Sequence, residues 1–285
     1  MSDGEERPVA LVSGATRGLG LGIAKALGEA GCLVHVTGRS TSGATTENLP
    51  GTVEEAAAVV SAAGAAAGGG RGFAKPCDHR DEKQVEALTA AIARENGRID
   101  ILVNNAWGGY EQHPGAAFAA PFLRQSSENW TRMFDGGLKA TFLTTRHALP
   151  LMTGPKTAER PRLIVNTVAW AFDEYLGNLY YDVAKAAAIR MVYGLARELA
   201  GAEIACVALA PGFVRTERVS QALADDPETL AKLESPDYAG RAVVALAADP
   251  DVMERSGRLF TVGELARDYA FTDTDGRQPL PFRLE

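Results

Sequence analysis

With 285 residues, 46% of them hydrophobic, the chain is long enough for one large domain or two small ones and can bury a sizeable core. Its formal net charge of −7 at pH 7 argues against a nucleic-acid partner, which needs a basic face to meet backbone phosphates. Residues 1–8 are polar and charged where a signal peptide is basic and then apolar, and no run approaches the roughly 18 apolar residues of a membrane span, so a cytoplasmic protein is expected.

The apolar run from Val9 to Val12 ends abruptly in Ser13-Gly14-Ala15-Thr16-Arg17-Gly18-Leu19-Gly20 and reads as strand, turn, helix. One glycine can take the positive φ of a sharp turn, while the others keep Cβ atoms clear of a ligand or a neighbouring strand. Leu19, Ile23, Ala26, Leu27 and Ala30 fall on one helical face, opposite Lys25 and Glu29. The loop therefore opens on a helix N-terminus, where free N–H groups and the dipole attract a phosphate. Residues 33–37 form a second strand, followed by Gly38-Arg39-Ser40 and a Ser/Thr/Gly-rich loop to residue 51. An alanine-rich helix over 53–66 is broken by Gly68-Gly69-Gly70, and a short strand near 72–76 precedes Cys77-Asp78-His79. Val85, Leu88 and Ile92 mark the buried stripe of the next helix, and residues 99–103, apolar apart from Asp100, read as a strand ending in Asn104-Asn105-Ala106.

Residues 106–129 are too long for an ordinary connection and make a candidate functional loop. Helices are expected over 130–151 and 182–200, with a strand at 163–165 and a polar, aromatic loop over 166–179 between them. A sixth strand at 204–209 closes on Pro211-Gly212; residues 213–237 suit short helices over a site, before a helix at 241–248 and a last strand at 259–262. Six or seven alternations of strand and helix, without repeats or linkers, predict one doubly wound (Rossmann-type) α/β domain over residues 1–285, with a parallel sheet of about seven strands. Ligands of such sheets lie beyond the carboxyl ends of the strands, so loops 13–20, 37–40, 77–79, 104–110, 166–180 and 210–217 should converge on one crevice. Cys32, Cys77 and Cys206 read as buried thiols of a reducing compartment, and His35, His79, His113 and His147 have no metal-ligand spacing.

Four of these segments resemble, in order, the motifs of the short-chain dehydrogenase/reductase family, and the match covers roughly residues 8–265. Residues 13–20 are similar to its Thr-Gly-x-x-x-Gly-x-Gly loop, Asn104-Asn105-Ala106 to its Asn-Asn-Ala-Gly, Tyr181-Asp182-Val183-Ala184-Lys185 to its Tyr-x-x-x-Lys, and residues 211–216 to its Pro-Gly segment. Asn104-Asn105-Ala106-Trp107-Gly108-Gly109, the long loop after it and the late Asp275-Gly276-Arg277 resemble the subgroup of dehydrogenase/reductase member one. The resemblance implies a nicotinamide cofactor held by Ser13, Gly14, Thr16, Arg17, Gly18, Leu19 and Gly20, with Asp78 at the adenine and Asn105 and Ala106 at the ribose and nicotinamide side. Pro211 and Gly212 belong to the same site, and Val214 and Thr216 resemble the carboxamide contacts. It also implies a homodimer or homotetramer built through the helices around 130–150 and 182–200, and a small-molecule substrate.

The chemistry follows from the residues as well. Tyr181 and Lys185 are four apart and share a helical face. An ammonium beside a phenol favours the phenolate, so Lys185 is expected to lower the pKa of Tyr181 and make it a general acid or base, and to orient the nicotinamide ribose. After the second strand an acid would bind the ribose 2′-hydroxyl and an arginine a 2′-phosphate; Arg39 and Ser40 stand there, with Arg17 in the glycine loop, which points to NADP. Solvated surface arginines are the alternative. The family serine that holds the substrate oxygen falls on Val168 or Ala169, neither of which can hydrogen-bond, and the family asparagine on Gly136 or Gly137. Asp173, Glu174, Tyr110, Glu111 and His113 are available to replace the lost contact, whereas Thr167 should point to the other side of its segment. Trp107, Tyr110, Phe118, Phe122, Trp170 and Phe172 suggest an apolar or aromatic ligand, with core packing as the alternative. The leading expectation is an NADP(H)-dependent oxidoreductase of carbonyls or secondary alcohols; a nucleotide-sensing or scaffold protein that lost catalysis is the alternative.

Overall fold

In the computed structural model of the chain, residues 7–111, 118–154, 161–170 and 174–281 are described below. Seven strands form one parallel sheet: β1 Val9–Val12, β2 Leu33–Gly38, β3 Arg71–Pro76, β4 Ile101–Asn104, β5 Arg162–Thr167, β6 Ile204–Ala210 and β7 Leu259–Thr261, in the order β3-β2-β1-β4-β5-β6-β7. Both faces of the sheet are covered, as the unbroken apolar strands require. On β1 the alternation is direct: Ala10 and Val12 pack in one core with Ile23, Leu27, Tyr238 and Leu246, while Val9 and Leu11 pack in the other with Val85, Ile92, Met152 and Val192.

The strand order reverses between β1 and β4, which pair with Val12 opposite Val103. That is the switch point where the connections leave in opposite directions and a crevice opens. The helices are α1 Gly18–Glu29, α2 Val53–Ala66, α3 Glu82–Asn96, α4 Ala140–Met152, α5 Leu179–Glu198, α6 Glu217–Ala222, α7 Pro227–Lys232, α8 Pro236–Ala248 and α9 Val262–Tyr269. Among the described residues, no helix is long and apolar enough to cross a membrane.

Three elements differ from the expectation. The helix expected from residue 130 is a short turn, Glu128–Trp130, then a π-helix, Thr131–Lys139, before α4. Helix α8 begins at Pro236 rather than at 241, because a proline at the first helical position has no N–H to leave unpaired. The last strand stops at Thr261, whose hydroxyl and Glu264 form a capping box that starts α9, a helix the apolar pattern did not announce.

Candidate active site

A cleft of about 1020 Å³ lies over the carboxyl ends of the strands. Gly14, Thr16, Arg17, Gly18, Leu19, Arg39, Ser40, Asp78, Asn105, Ala106, Tyr181, Lys185, Pro211, Gly212, Val214 and Thr216 all line it. Ser13 and Gly20 are buried and act from beneath. The Ser13 hydroxyl accepts from the backbone N–H of Asn105 (2.9 Å) and Ala106 (3.0 Å), joining the loop after β1 to the loop after β4. Asn105 completes the joint by donating from Nδ2 to the carbonyls of Ser13 and Gly14. Gly14 has φ +64°, and a Cβ there would lie 2.7 Å from the Ala106 Cα; one at Gly20 would lie 2.4 Å from the Asn105 amide. These glycines are therefore required by the fold of the loop, in which the Ser13 and Ala15 N–H groups are taken up by the Val103 and Thr37 carbonyls of the neighbouring strands.

The charged groups at this end are already engaged with one another. Arg17 donates to the carbonyls of Leu49, Pro50 and Gly51 and to the Ser40 hydroxyl (2.8 Å), so its guanidinium holds the 46–51 loop in place. Arg39 forms an ion pair with Glu111, from the long connection after β4, and Arg80 lies 3.9 Å from the other oxygen of the same carboxylate. Burial works against the charge of Asp78, but fork-like bonding from Arg80 outweighs it and holds the carboxyl below its ordinary value. Arg80 and Glu111 both line the cleft. Sequence reasoning passed over Arg80, although a basic residue two positions after Asp78 was the available signal. At the first turn of α1, the Gly18 N–H donates to Glu217 Oε1 (3.2 Å), while Glu217 Oε2 is buried and has no hydrogen-bond partner among the described residues. A carboxylate thus sits where the helix N-terminus favours a phosphate. Beyond β6, the Gly212 N–H donates to the buried Glu234 (2.9 Å), whose carboxyl is pushed up to about 7 by burial.

Tyr181 and Lys185 occupy the other end, both buried on the first turns of α5. Asn178 caps that helix by accepting from the Tyr181 N–H (3.0 Å), and its amide donates to the Phe118 carbonyl (2.8 Å), which ties the connection after β4 to the start of α5. Three rings surround the Tyr181 ring: Trp107 and Phe118, each at 5.4 Å between centroids, and Tyr110 at 5.7 Å. The Tyr110 hydroxyl donates to the Tyr181 hydroxyl at 2.9 Å. Lys185 Nζ stands 3.7 Å from the Trp107 ring centroid.

This corrects the expected electrostatics. Lys185 does not draw Tyr181 towards neutrality here. Burial lowers Lys185 from 10.5 to about 7, and burial raises Tyr181 well above its ordinary value, so each group is driven to its uncharged form. The Trp107 face opposes the change at Lys185 by favouring the ammonium.

Both departures from the family pattern have a structural counterpart. A Cβ on Gly137 would fall 2.2 Å from the Trp107 ring. The indole fills the volume that a side chain at 137 would need. At the serine position, Ala169 packs in the cluster with Tyr181, Tyr110 and Trp107, whereas Val168 belongs to the sheet-side core. Thr167 directs its hydroxyl to the Asn104 carbonyl and Asn105 Oδ1, both at 3.4 Å. Glu174 is exposed and is not part of the cleft lining. Phe122 is exposed and meets the Tyr180 ring at a tilt, with centroids 5.8 Å apart, rather than lining the cleft. His113, Phe172 and Asp173 lie outside the described residues.

The site can be set beside known proteins. The family model of short chain dehydrogenases matches residues 8–227. Mouse dehydrogenase/reductase SDR family member 1 is 33% identical over 281 residues, covering 94% of this chain and 84% of its own. A 3-oxoacyl-acyl-carrier-protein reductase of Vibrio cholerae is 30% identical over 90% of this chain and 96% of its own. Among solved structures, the 3-oxoacyl-acyl-carrier-protein reductase of Brucella melitensis in complex with NAD superposes with a TM-score of 0.74 at 27% identity, covering 90% of this chain and 96% of that one. With the sheet order, the glycine loop and the Tyr181–Lys185 pair on one cleft, these matches place the chain in the short-chain dehydrogenase/reductase family of oxidoreductases, in the subgroup resembling family member 1.

Proposed function

We propose that the protein is an NADP(H)-dependent oxidoreductase that interconverts a carbonyl and a secondary alcohol on an apolar or aromatic small molecule. The observation that carries this reading is that the Tyr181 hydroxyl and Lys185 line the same cleft as the glycine loop of β1–α1. The cradle fits a dinucleotide: the Cβ-intolerant Gly14 and Gly20 shape the loop, and the Gly18 N–H meets a carboxylate in the place of a phosphate. When bound, a nicotinamide supplies or accepts the hydride at the substrate carbon. The chain's own residues do the rest. Tyr181 holds the proton exchanged with the substrate oxygen, and its high pKa keeps it protonated for reduction until the oxygen develops charge. Lys185 lies one turn along the same helix face and would meet the ribose, and Asp78, Asn105, Ala106, Val214 and Thr216, which line the same cleft, would hold the remainder of the cofactor. The aromatic walls Trp107, Tyr110 and Phe118 exclude water from the oxygen and give apolar substrates their purchase.

NADP is preferred in this reading because Arg39, Ser40 and Arg80 face the cleft beyond β2 and β3, with no acid at positions 38–40. Glu111 pairs with Arg39 and must yield to a 2′-phosphate. Exposed Phe142 on α4 and exposed Val183 and Tyr193 on α5 support a homodimer or homotetramer through these helices, and the three buried free cysteines suit a reducing, cytoplasmic setting. The test is fluorescence titration with NADPH and NADH, followed by turnover of benzil, an aromatic diketone. NADPH binding at least tenfold tighter, with oxidation on adding benzil, is expected. Equal affinities overturn the cofactor assignment. Tight binding without turnover of benzil or a wider carbonyl panel favours the nucleotide-sensing reading, for which the methyl groups at Val168 and Ala169 speak.

A further inference from the structure

We infer that Tyr110 supplies the hydrogen bond to the substrate oxygen that a serine supplies elsewhere in the family; this rests on the oxidoreductase reading above. Positions 168 and 169 carry no hydroxyl, Thr167 turns its own to Asn104 and Asn105, and Glu174 is exposed away from the cleft. Tyr110 instead brings a hydroxyl to 2.9 Å from the Tyr181 hydroxyl, on the wall of the cleft. A carbonyl oxygen that takes a proton from Tyr181 must come within about 2.6–3.2 Å of that hydroxyl. With the two phenol oxygens 2.9 Å apart, a third oxygen can meet both, and the Tyr110 proton then swings from Tyr181 to the substrate.

The placement of Tyr110 is fixed from several sides. Its ring packs against Trp107, Phe118 and Tyr181, with centroids 6.2, 5.9 and 5.7 Å away. Its backbone neighbours are held by the Gly108 N–H on the Gly136 carbonyl (2.8 Å), by the Glu111 N–H on the Gly108 carbonyl (3.1 Å) and by the Glu111–Arg39 ion pair. A preorganised donor of this kind lowers the energy of an oxygen as it gains charge, and a phenol donates more strongly than an aliphatic hydroxyl because it is the stronger acid. In reduction, the carbonyl carbon takes a hydride with its electron pair from the reduced nicotinamide, and the oxygen takes the proton of Tyr181. Tyr110 keeps its proton throughout. The products are the alcohol, oxidised nicotinamide and a Tyr181 phenolate, which recovers a proton from water.

The experiment uses the full chain, NADPH and benzil. Tyr110→Phe keeps the ring and removes the donor: kcat should fall about 100-fold, within the range for loss of one oxyanion donor, while NADPH affinity and the benzil KM stay within about threefold, in keeping with a contact made to the transition state. Adding Ala169→Ser to Tyr110→Phe should recover at least tenfold in kcat, a rescue that mere repair of packing would not give, and it keeps the test decisive if Tyr110→Phe alone folds poorly. Ala169→Ser alone should change kcat by less than threefold. The inference is overturned if Tyr110→Phe stays within threefold of the unaltered protein, or if Ala169→Ser alone raises kcat tenfold. Tyr181→Phe separates the two levels. If it abolishes turnover while Tyr110→Phe does not, only the Tyr110 role fails; if the unaltered protein binds NADPH and turns over no carbonyl, or if Tyr181→Phe remains active, the underlying reading fails and the Tyr110 role with it.

Discussion

The two ends of the cleft are built by different means. At the β1–α1 end, backbone geometry sets the cradle: Gly14 and Gly18 take positive φ, Gly20 has no room for a Cβ, and Ser13 and Asn105, 92 residues apart, stitch adjacent loops. At the Tyr181 end, rings from residues 107–118 close over α5 and replace polar groups with aromatic ones. Backbone demands leave a mark because they select glycine and small polar residues at fixed positions, whereas the packing of rings from distant segments selects only for apolar bulk and leaves no distinctive mark until the chain is folded.

The largest effect should come from breaking the aromatic end at its reactive atom. Tyr181→Phe should cut turnover of benzil at least a hundredfold, since general acid catalysis contributes about 10² to 10⁴, and leave NADPH affinity, which depends on the opposite end, within about twofold. Rates measured at saturating NADPH check this. A large loss of cofactor affinity would mean that the two ends are not separable.

The Trp107–Gly137 exchange tests whether the aromatic end is a unit. Gly137→Ala forces a methyl against the indole, and overpacking of this kind costs about 1–3 kcal/mol. In the Trp107→Ala background the same change should cost little, so urea denaturation of the four proteins in the cycle should show strong non-additivity. Additive costs would show that the indole and Gly137 do not compete for space.

The difference between the ends also explains what could be read in advance. The seven parallel strands, the glycine loop and the convergence on one cleft of the residues proposed to hold a cofactor were legible because apolar runs, glycines and helix periods repeat at fixed spacing. The roles of Arg17 and Glu111 were not. Arg17 reads as a phosphate ligand, but its guanidinium is engaged by four backbone carbonyls of a loop 29 to 34 residues away, and Glu111 reaches Arg39 across 72 positions.

At the β1–α1 end, Arg39→Ala should remove most of the proposed NADP preference, about 1.4 kcal/mol or tenfold, and Glu111→Gln should tighten NADPH binding a few-fold by freeing Arg39 from its ion pair. Calorimetric titration of both variants with NADPH and NADH checks the pair of outcomes. If Glu111→Gln weakens NADPH instead, the carboxylate helps to position Arg39 rather than competing for it.

The smallest effect concerns Lys185, where burial and the Trp107 ring act in opposite directions. With burial dominant, the folded protein releases the Lys185 proton above about 7, whereas the unfolded chain keeps it up to its ordinary 10.5. Between those values the unfolded state binds more protons, so stability should rise with pH across that window and should do so by at most about 1.4 kcal/mol per pH unit. Lys185→Met removes the titrating group and keeps the stem, so the difference between the unaltered protein and the variant isolates this contribution from the buried cysteines, which titrate higher. Urea midpoints of the ligand-free proteins at pH 7.0 and 8.0 should show the unaltered protein gaining on the variant by about 1 kcal/mol. A constant difference would mean that the ammonium persists over the indole face, 3.7 Å from its centre, and that the aromatic end holds a charge which burial alone would expel.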